Sequence, residues 1–142
     1  MTLTAEQMRF VHDNHSAAMI TMGADRRPKA VRVGVAVVEG KLWSSGTAER
    51  RRTRALREDP RCTLFVFGGG YEFLTLETTV TILDGPDAPQ QSLRLFREMS
   101  GRPTGPLSWF GRELEEDDFL RTMVGEHRLI YELEVERAYG MT

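Results

Sequence analysis

The stretch from Lys29 to Val38 constrains the fold more than any other part of the chain. Val31, Val33, Val35 and Val37 fall on one side of it, and Ala30, Arg32, Gly34 and Ala36 on the other. A period of two with β-branched residues on one face is the pattern of a strand that buries one side. Glu39-Gly40 supplies a tight turn, and Lys41 to Ser45 returns as a further strand. A lone hairpin is not stable in water, so other strands must cover its valine face.

The rest of the sequence offers them. Ser16 to Met22 is apolar on both faces and ends in the turn Gly23-Ala24-Asp25-Arg26-Arg27-Pro28. Arg61 to Phe67 and Tyr71 to Leu83 flank the turn Gly68-Gly69-Gly70, and Arg128 to Val135 alternates Leu129, Tyr131, Leu133 and Val135 against Ile130, Glu132 and Glu134. Helices interleave with these strands. Thr4 and Gln7 form a capping box, and Leu3 with Met8 has staple spacing, predicting a helix to Asn14 that buries Met8, Phe10 and Val11. A second helix follows Thr47 and stops at Asp59-Pro60, because the residue before a proline disfavours helical geometry. Gln90 to Met99 reads as a third, with Leu93, Phe96 and Met99 on one side. After the Gly/Pro-rich segment Gly101 to Pro106, Leu107 to Val124 reads as one or two more. Six strands with short turns predict a mostly β, mostly antiparallel small barrel with helical decoration. At 142 residues the expected organisation is one domain over 1–142.

Some residues carry expectations of their own. Trp43, Phe65, Phe67, Tyr71 and Phe73 are expected in the core. Trp109 and Phe110, beside the flexible loop, either pack in the core like these or line a ligand cavity or a subunit contact. The small face of Ala30, Gly34 and Ala36 leaves room for a flat group or for close packing of another element. Cys62 is the single cysteine and lies in an apolar strand, which predicts a buried, inert thiol.

Several function classes fall away. No apolar run approaches the roughly 20 residues of a membrane helix. Met1-Thr2-Leu3-Thr4-Ala5-Glu6 lacks the pattern of a secretory signal, so a cytoplasmic location is expected. A formal net charge of -2 weighs against nucleic acid as partner. His12, His15 and His127 form no metal-binding spacing, and the run Glu113, Glu115, Glu116, Asp117, Asp118 lacks a calcium-loop pattern and reads as a solvated helix face. Neither Gly-x-Ser-x-Gly nor Gly-x-Gly-x-x-Gly occurs.

One local cluster does point to chemistry. Ser44-Ser45-Gly46-Thr47 ends a strand, and Arg50, Arg51, Arg52, Arg54 and Arg57 follow at once on a helix. Hydroxyls, free N–H groups at a helix start and guanidinium groups together suit a phosphate. In a slightly acidic chain this positive charge is local, and it directly follows a strand end.

The order Arg32-Val33-Gly34-Val35, Ser44-Ser45-Gly46-Thr47, Arg50-Arg51-Arg52 and Leu56-Arg57-Glu58-Asp59-Pro60-Arg61 resembles the split-barrel flavin-binding family of pyridoxamine 5'-phosphate oxidase. Leu76-Glu77-Thr78-Thr79-Val80 adds to the likeness, which runs from about Ser16 to Tyr139. The resemblance implies a homodimer of six-stranded antiparallel split β-barrels with two cofactor sites at the subunit interface. It implies that Arg32 and Val33 touch a flavin-type ring and that Ser45, Gly46 and Thr47 hold ring and phosphate. Arg51 and Arg52, with Arg50 beside them, would clamp the phosphate, and Thr79 would face the ring or its sugar-alcohol chain. Where the family has a basic residue followed by Lys, this chain has two arginines, which keeps the charge and adds bidentate geometry. The C-terminal Trp and Arg segment that holds pyridoxamine phosphate in the family oxidase has no counterpart, which points away from vitamin B6 oxidation. The Val-Gly-Val strand resembles the short branch that uses the deazaflavin coenzyme F420, favoured here over flavin mononucleotide (FMN). The activity implied is hydride transfer between the coenzyme and an unsaturated small molecule. A non-catalytic module that holds a cofactor or tetrapyrrole is the alternative of another class. No catalytic proton donor is identified.

Overall fold

The computed structural model describes residues 3–142; Met1 and Thr2, which open both the expected 1–142 domain and the N-terminal reading, lie outside the described residues. In chain order the elements are α1 (Ala5–Asp13), β1 (Ser16–Met22), β2 (Pro28–Val38), β3 (Lys41–Thr47), α2 (Arg51–Glu58), β4 (Arg61–Phe67), β5 (Phe73–Leu83), α3 (Ala88–Ser100), β6 (Leu107–Trp109), β7 (Arg112–Leu114), α4 (Glu116–Gly125) and β8 (Arg128–Met141). Six strands close a barrel in the order β1-β2-β3-β8-β5-β4, each pair antiparallel, as the alternating segments predict. Closure leaves no continuous free edge, which removes the aggregation hazard of an open sheet.

The barrel interior takes one residue of every two from each strand. Met19, Val35, Leu64, Leu74, Leu76, Leu129 and Tyr131 are buried there, joined by Phe10 and Val11 from α1 and Leu56 from α2. Each such aliphatic side chain contributes about 1.5–3 kcal/mol of burial. The Thr4–Gln7 capping box forms as expected and starts α1.

α3 packs outside the barrel, on β2, β3 and β8. It buries Ala36, Val38, Trp43 and Ile130 around Leu95. The small face of β2 is therefore explained by a helix: a Cβ on Gly34 would come within 2.7 Å of Met99 Sδ. No flat ligand has space above Gly34 and Ala36.

The structure differs from the sequence expectation in three places. Leu107 to Leu114 is a hairpin, β6–β7, and not helical. Its two-residue turn is Phe110-Gly111, with φ values of 49° and 80°, the geometry of a tight hairpin turn. Strands of three residues are too short to show alternation, which is why the pattern was not visible. β8 runs past Val135 to Met141 because a bulge at Glu136 lets Val135 face Thr78 and Arg137 face Glu77. The aromatic residues expected in the core are also divided. Trp43 is buried but lies outside the barrel under α3. Phe65 and Phe73 are half-buried, stacked on the outer face of β4 and β5, while Phe67 and Tyr71 are exposed. Alternation along β4 puts Cys62, Leu64 and Val66 inside, so Phe65 and Phe67 have to point out.

Candidate cofactor-binding site

The β2–β3 ladder stops short, and where it stops decides the site. Val35 to Val38 pair with Ser44 to Lys41. Extending that register would set Gly34 against Ser45, Val33 against Gly46 and Arg32 against Thr47, but these pairs are not formed. β2 remains paired to β1 through this region, and β3 remains paired to β8. The two strands thus part with one backbone edge each facing the gap. Ser44 marks the point of parting, its hydroxyl donating to Gly34 O at 2.7 Å. Backbone N–H and C=O groups on unpaired edges are ready partners for a polar planar ligand.

α2 is fastened beneath the end of β3. Thr53 Oγ1 lies 2.7 Å from Thr47 O and also hydrogen-bonds the hydroxyl of buried Tyr131. Tyr131 sits directly against Gly46, where any added Cβ would overlap the phenol ring. Gly46 therefore has a structural reason that precedes any ligand: β3 must pass over a tyrosine. Thr53 and Tyr131 were not singled out in the sequence; only their burial and shared hydrogen bond reveal them.

Arg52 leaves the first turn of α2 and runs under β3. Its guanidinium carbon is 5.8 Å from the centre of the Tyr131 ring, and Nη2 makes a long 3.4 Å contact with Ser45 O. Its Nε and the Ser45 hydroxyl are both buried without a hydrogen-bond partner. Burial lowers the Arg52 pKa, Tyr131 partly offsets this, and Arg50 and Arg128 lower it further. An arginine does not deprotonate in proteins, so the unrelieved charge is a demand for an anion. The start of α2 adds to it. Arg50 has no side-chain cap bond, and the first turn carries no acidic residue. Buried polar atoms are normally satisfied, and among the described residues only Ser92 Oγ joins these two as an orphan. The residues present thus fit an anionic, polar-edged group at the parting of β2 and β3.

The other expected site residues lie around this point with different relations to it. Arg50 and Arg51 are exposed at the start of α2. Val33 turns its side chain into the core and leaves only backbone at the gap. Arg32 points outward and donates to Ser16 Oγ at 3.2 Å. Thr79 is not beside Ser45 within one chain: Ser45 pairs with Ile130, whereas Thr79 pairs with Glu134, roughly 13 Å further along β8. Its hydroxyl donates to Glu136 Oε1 at 2.7 Å. Arg54 and Arg57 are spoken for, Arg54 by Glu49 O at 2.9 Å and Arg57 by Asp84 at 2.9 Å. The acidic run is split between β7 and the first turn of α4, where Glu116, Asp117 and Asp118 suit the helix dipole.

One row of the outer sheet ties the gap to a larger surface. Arg32 pairs with Ala18, Ala18 with Phe65, Phe65 with Thr75 and Thr75 with Tyr139. Phe67, Tyr139 and Met141 on this face are 42%, 45% and 60% exposed. Arg32 stands at the border between that apolar face and the parted strands. A cavity of about 320 Å³ between Met8, Val37, Leu42 and Val135 lies elsewhere and includes none of the expected site residues.

Comparison with known proteins places these features in context. The family model described as pyridoxamine 5'-phosphate oxidase matches residues 3–139. A conserved hypothetical protein from Mycobacterium tuberculosis superposes with a TM-score of 0.76 at 20% identity, covering 99% of this chain and 85% of that one. An F420 reductase does so at 0.68 and 17% identity, covering 92% and 94%. The heme storage protein HutZ from Vibrio cholerae gives 0.66 at 13% identity, covering 99% and 95%. At these identities the likeness speaks for the fold. Among curated proteins no relative matches in sequence.

Proposed function

The chain belongs to the pyridoxamine 5'-phosphate oxidase family, and on that premise we propose that it is an oxidoreductase that binds coenzyme F420 at the parting of β2 and β3. The observation that carries this reading is the pair of orphaned buried polar atoms, Ser45 Oγ and Arg52 Nε, at the expected phosphate end of the site. The likeness to an F420 reductase over nearly all of both chains supports the choice of coenzyme.

When bound, the deazaflavin supplies a hydride acceptor and donor, and the protein's share is binding, orientation and exclusion of water. Arg52, Arg51 and the open N–H groups of α2 hold the anionic tail. The Ser45 hydroxyl and the free backbone edges of Arg32 to Gly34 and Ser45 to Thr47 hold the polar edge of the ring. An unsaturated small molecule would be the hydride partner of the coenzyme held there, the protein contributing surroundings of low polarity.

The same reading makes the protein a homodimer. The apolar face of Phe65, Phe67, Phe73, Tyr139 and Met141 needs a cover, and its border residue Arg32 adjoins the gap. A second copy seated there closes the site and brings its own Thr79, which shares that face, toward the coenzyme of the first. We place it in the cytoplasm, the location expected from its sequence.

A second reading is FMN on the same fold, since both coenzymes offer a tricyclic ring and a phosphate. Side-by-side titration separates the two. Quenching of F420 fluorescence at micromolar protein, with colourless protein as purified, supports the first. A yellow protein that ignores F420 transfers the site to FMN, and binding without turnover of any acceptor leaves a non-catalytic module.

A further inference from the structure

Outside the residues already assigned, a further guanidinium stands beside the end of β3, on its β8 side. Arg128 opens β8 and pairs with Thr47 at the end of β3, so both side chains emerge on the outer surface next to Ser45. Only 10% of its side chain is exposed. Its Nε and Nη2 each lie 2.9 Å from Glu126 Oε1, and its guanidinium carbon is 5.0 Å from the centre of the Trp109 ring. Trp109 Nε1 donates to the other oxygen of Glu126 at 3.1 Å. One carboxylate thus orients both the arginine and the ring beneath it.

That ring belongs to the β6–β7 hairpin, which is built to stay still. Trp109 is buried among Phe96, Phe119 and Met123, with Phe96 and Phe119 edge-on at 5.0 and 5.5 Å. The neighbouring Phe110 occupies a left-handed backbone position, which is costly for a bulky residue and persists only in a firmly held turn. The turn before β8 is also stitched to the turn before α2, through Ala48 N to His127 O at 3.0 Å and the hydrogen bond between His127 and Glu49. The start of β8 and the start of α2 are thus tied together by two contacts.

The placement of charge gives this stack a purpose beyond packing. Arg128 and Arg50 are the neighbouring cations that work against Arg52, and no carboxylate offsets them at Arg52. Glu126 satisfies one edge of Arg128 and leaves Nη1 free. Glu126 compensates Arg128, so the charge without a partner is that of Arg52, and like charges beside it favour the entry of an anion.

We propose that Arg128 is a second anion-binding arginine of this site, entering from the β8 side of β3, and that the Trp109 hairpin is the element that positions it. The ligand group it takes is a phosphate or another compact polyoxyanion. The proposal rests on the reading of the β2–β3 gap as an anion site, and the test separates the two. Trp43 and Trp109 are the two tryptophans, so Trp43→Phe leaves Trp109 as sole reporter under Arg128. Inorganic pyrophosphate, which is optically silent, should change Trp109 emission saturably in that variant. Adding Arg128→Gln should weaken binding about tenfold or more and abolish the emission change, and Arg128→Lys should restore charge without the bidentate grip. Isothermal calorimetry gives binding independently of fluorescence. Pyrophosphate that binds by calorimetry, responds to Arg52→Ala and leaves both Trp109 and Arg128→Gln indifferent overturns this proposal alone. Absence of any pyrophosphate binding overturns the anion site itself.

Discussion

Replacing Arg52 by Met separates binding from stability, because the two should move in opposite directions. In the free protein Arg52 contributes a stem packed along Tyr131, a cation–π contact at 5.8 Å and one long hydrogen bond of 3.4 Å. Against these stand a buried Nε without a partner and two neighbouring cations. Met keeps most of the stem packing. The lost cation–π term is about 0.5–1 kcal/mol, and the weak hydrogen bond about 0.5 kcal/mol. Relief of one unsatisfied buried donor returns about 1–3 kcal/mol. The balance favours the variant by about 1 kcal/mol, or roughly 2–4 °C in Tm for a chain of this size.

Coenzyme binding should respond the other way. A charge-assisted contact to an anionic tail is worth about 1.5–3 kcal/mol, so the dissociation constant should rise about tenfold to a hundredfold. Differential scanning fluorimetry of the apo-protein and a fluorescence titration with F420 read the two quantities on one preparation. An apo-protein destabilised by more than about 1 kcal/mol, with coenzyme affinity unchanged, makes Arg52 a structural residue and refutes the reasoning.

Other perturbations test separate links. Gly46→Ala forces a methyl group into the Tyr131 ring and should cost about 3 kcal/mol or more, seen as a lowered urea midpoint; a midpoint close to wild type would return Gly46 to a ligand-only role. Phe65→Glu together with Tyr139→Glu places charge on the outer sheet and should yield a monomer by light scattering that no longer binds coenzyme. Burial raises the Cys62 thiol to about 11, so at pH 8 its alkylation should run about a hundredfold slower than for an unfolded chain. Asp59 is held down to about 2 by its hydrogen bonds to Arg61, and Glu49 is lowered by its bond to His127. Asp59 favours the fold above its ordinary range near pH 4 and ceases to do so as pH falls toward 2, and Glu49 acts in the same direction below its own ordinary range. Asp59→Asn should accordingly flatten the dependence of Tm on pH between about 4 and 2, where the ordinary and lowered values lie.

The parts of this molecule that sequence reveals are those written in a repeating period. The Val31 to Val37 strand, the capping box at Thr4 and Gln7 and the Asp59-Pro60 stop each act through neighbours in the chain, and each appears where expected, although Val31 is exposed and α3 buries the opposite face at Ala36 and Val38. The β6–β7 hairpin escaped because its three-residue strands are shorter than one readable period and its turn uses Phe110 where glycine or asparagine would have signalled it. The outward aromatics escaped for another reason. Phe65 and Phe67 alternate correctly with Leu64 and Val66, yet both faces of β4 are apolar, and alternation cannot say which face is inside. Only closure of the barrel decides that.

The candidate site shows the same division in sharper form. Ser45 and the arginines were legible as chemistry because phosphate recognition uses a small set of residue types close together in sequence. What makes them a site is a decision about pairing: β2 keeps β1, β3 keeps β8, and the two give up each other after Val35 and Ser44. That parting is enforced from below by Tyr131 under Gly46 and by Thr53 drawing α2 up to Thr47. Tyr131 lies 85 residues from Gly46 along the chain by their numbers, and its role is set by contact across the barrel. A fold that leaves two edges unpaired and buries an unpaired hydroxyl and an unpaired guanidinium N–H beside them carries a cost that a bound partner would offset. On the function proposed above, coenzyme should raise the Tm by an amount that grows with the logarithm of coenzyme concentration above the dissociation constant. A Tm indifferent to F420 and to FMN alike would mean that the parted strands are closed by protein, with the second subunit's sheet supplying the partners instead.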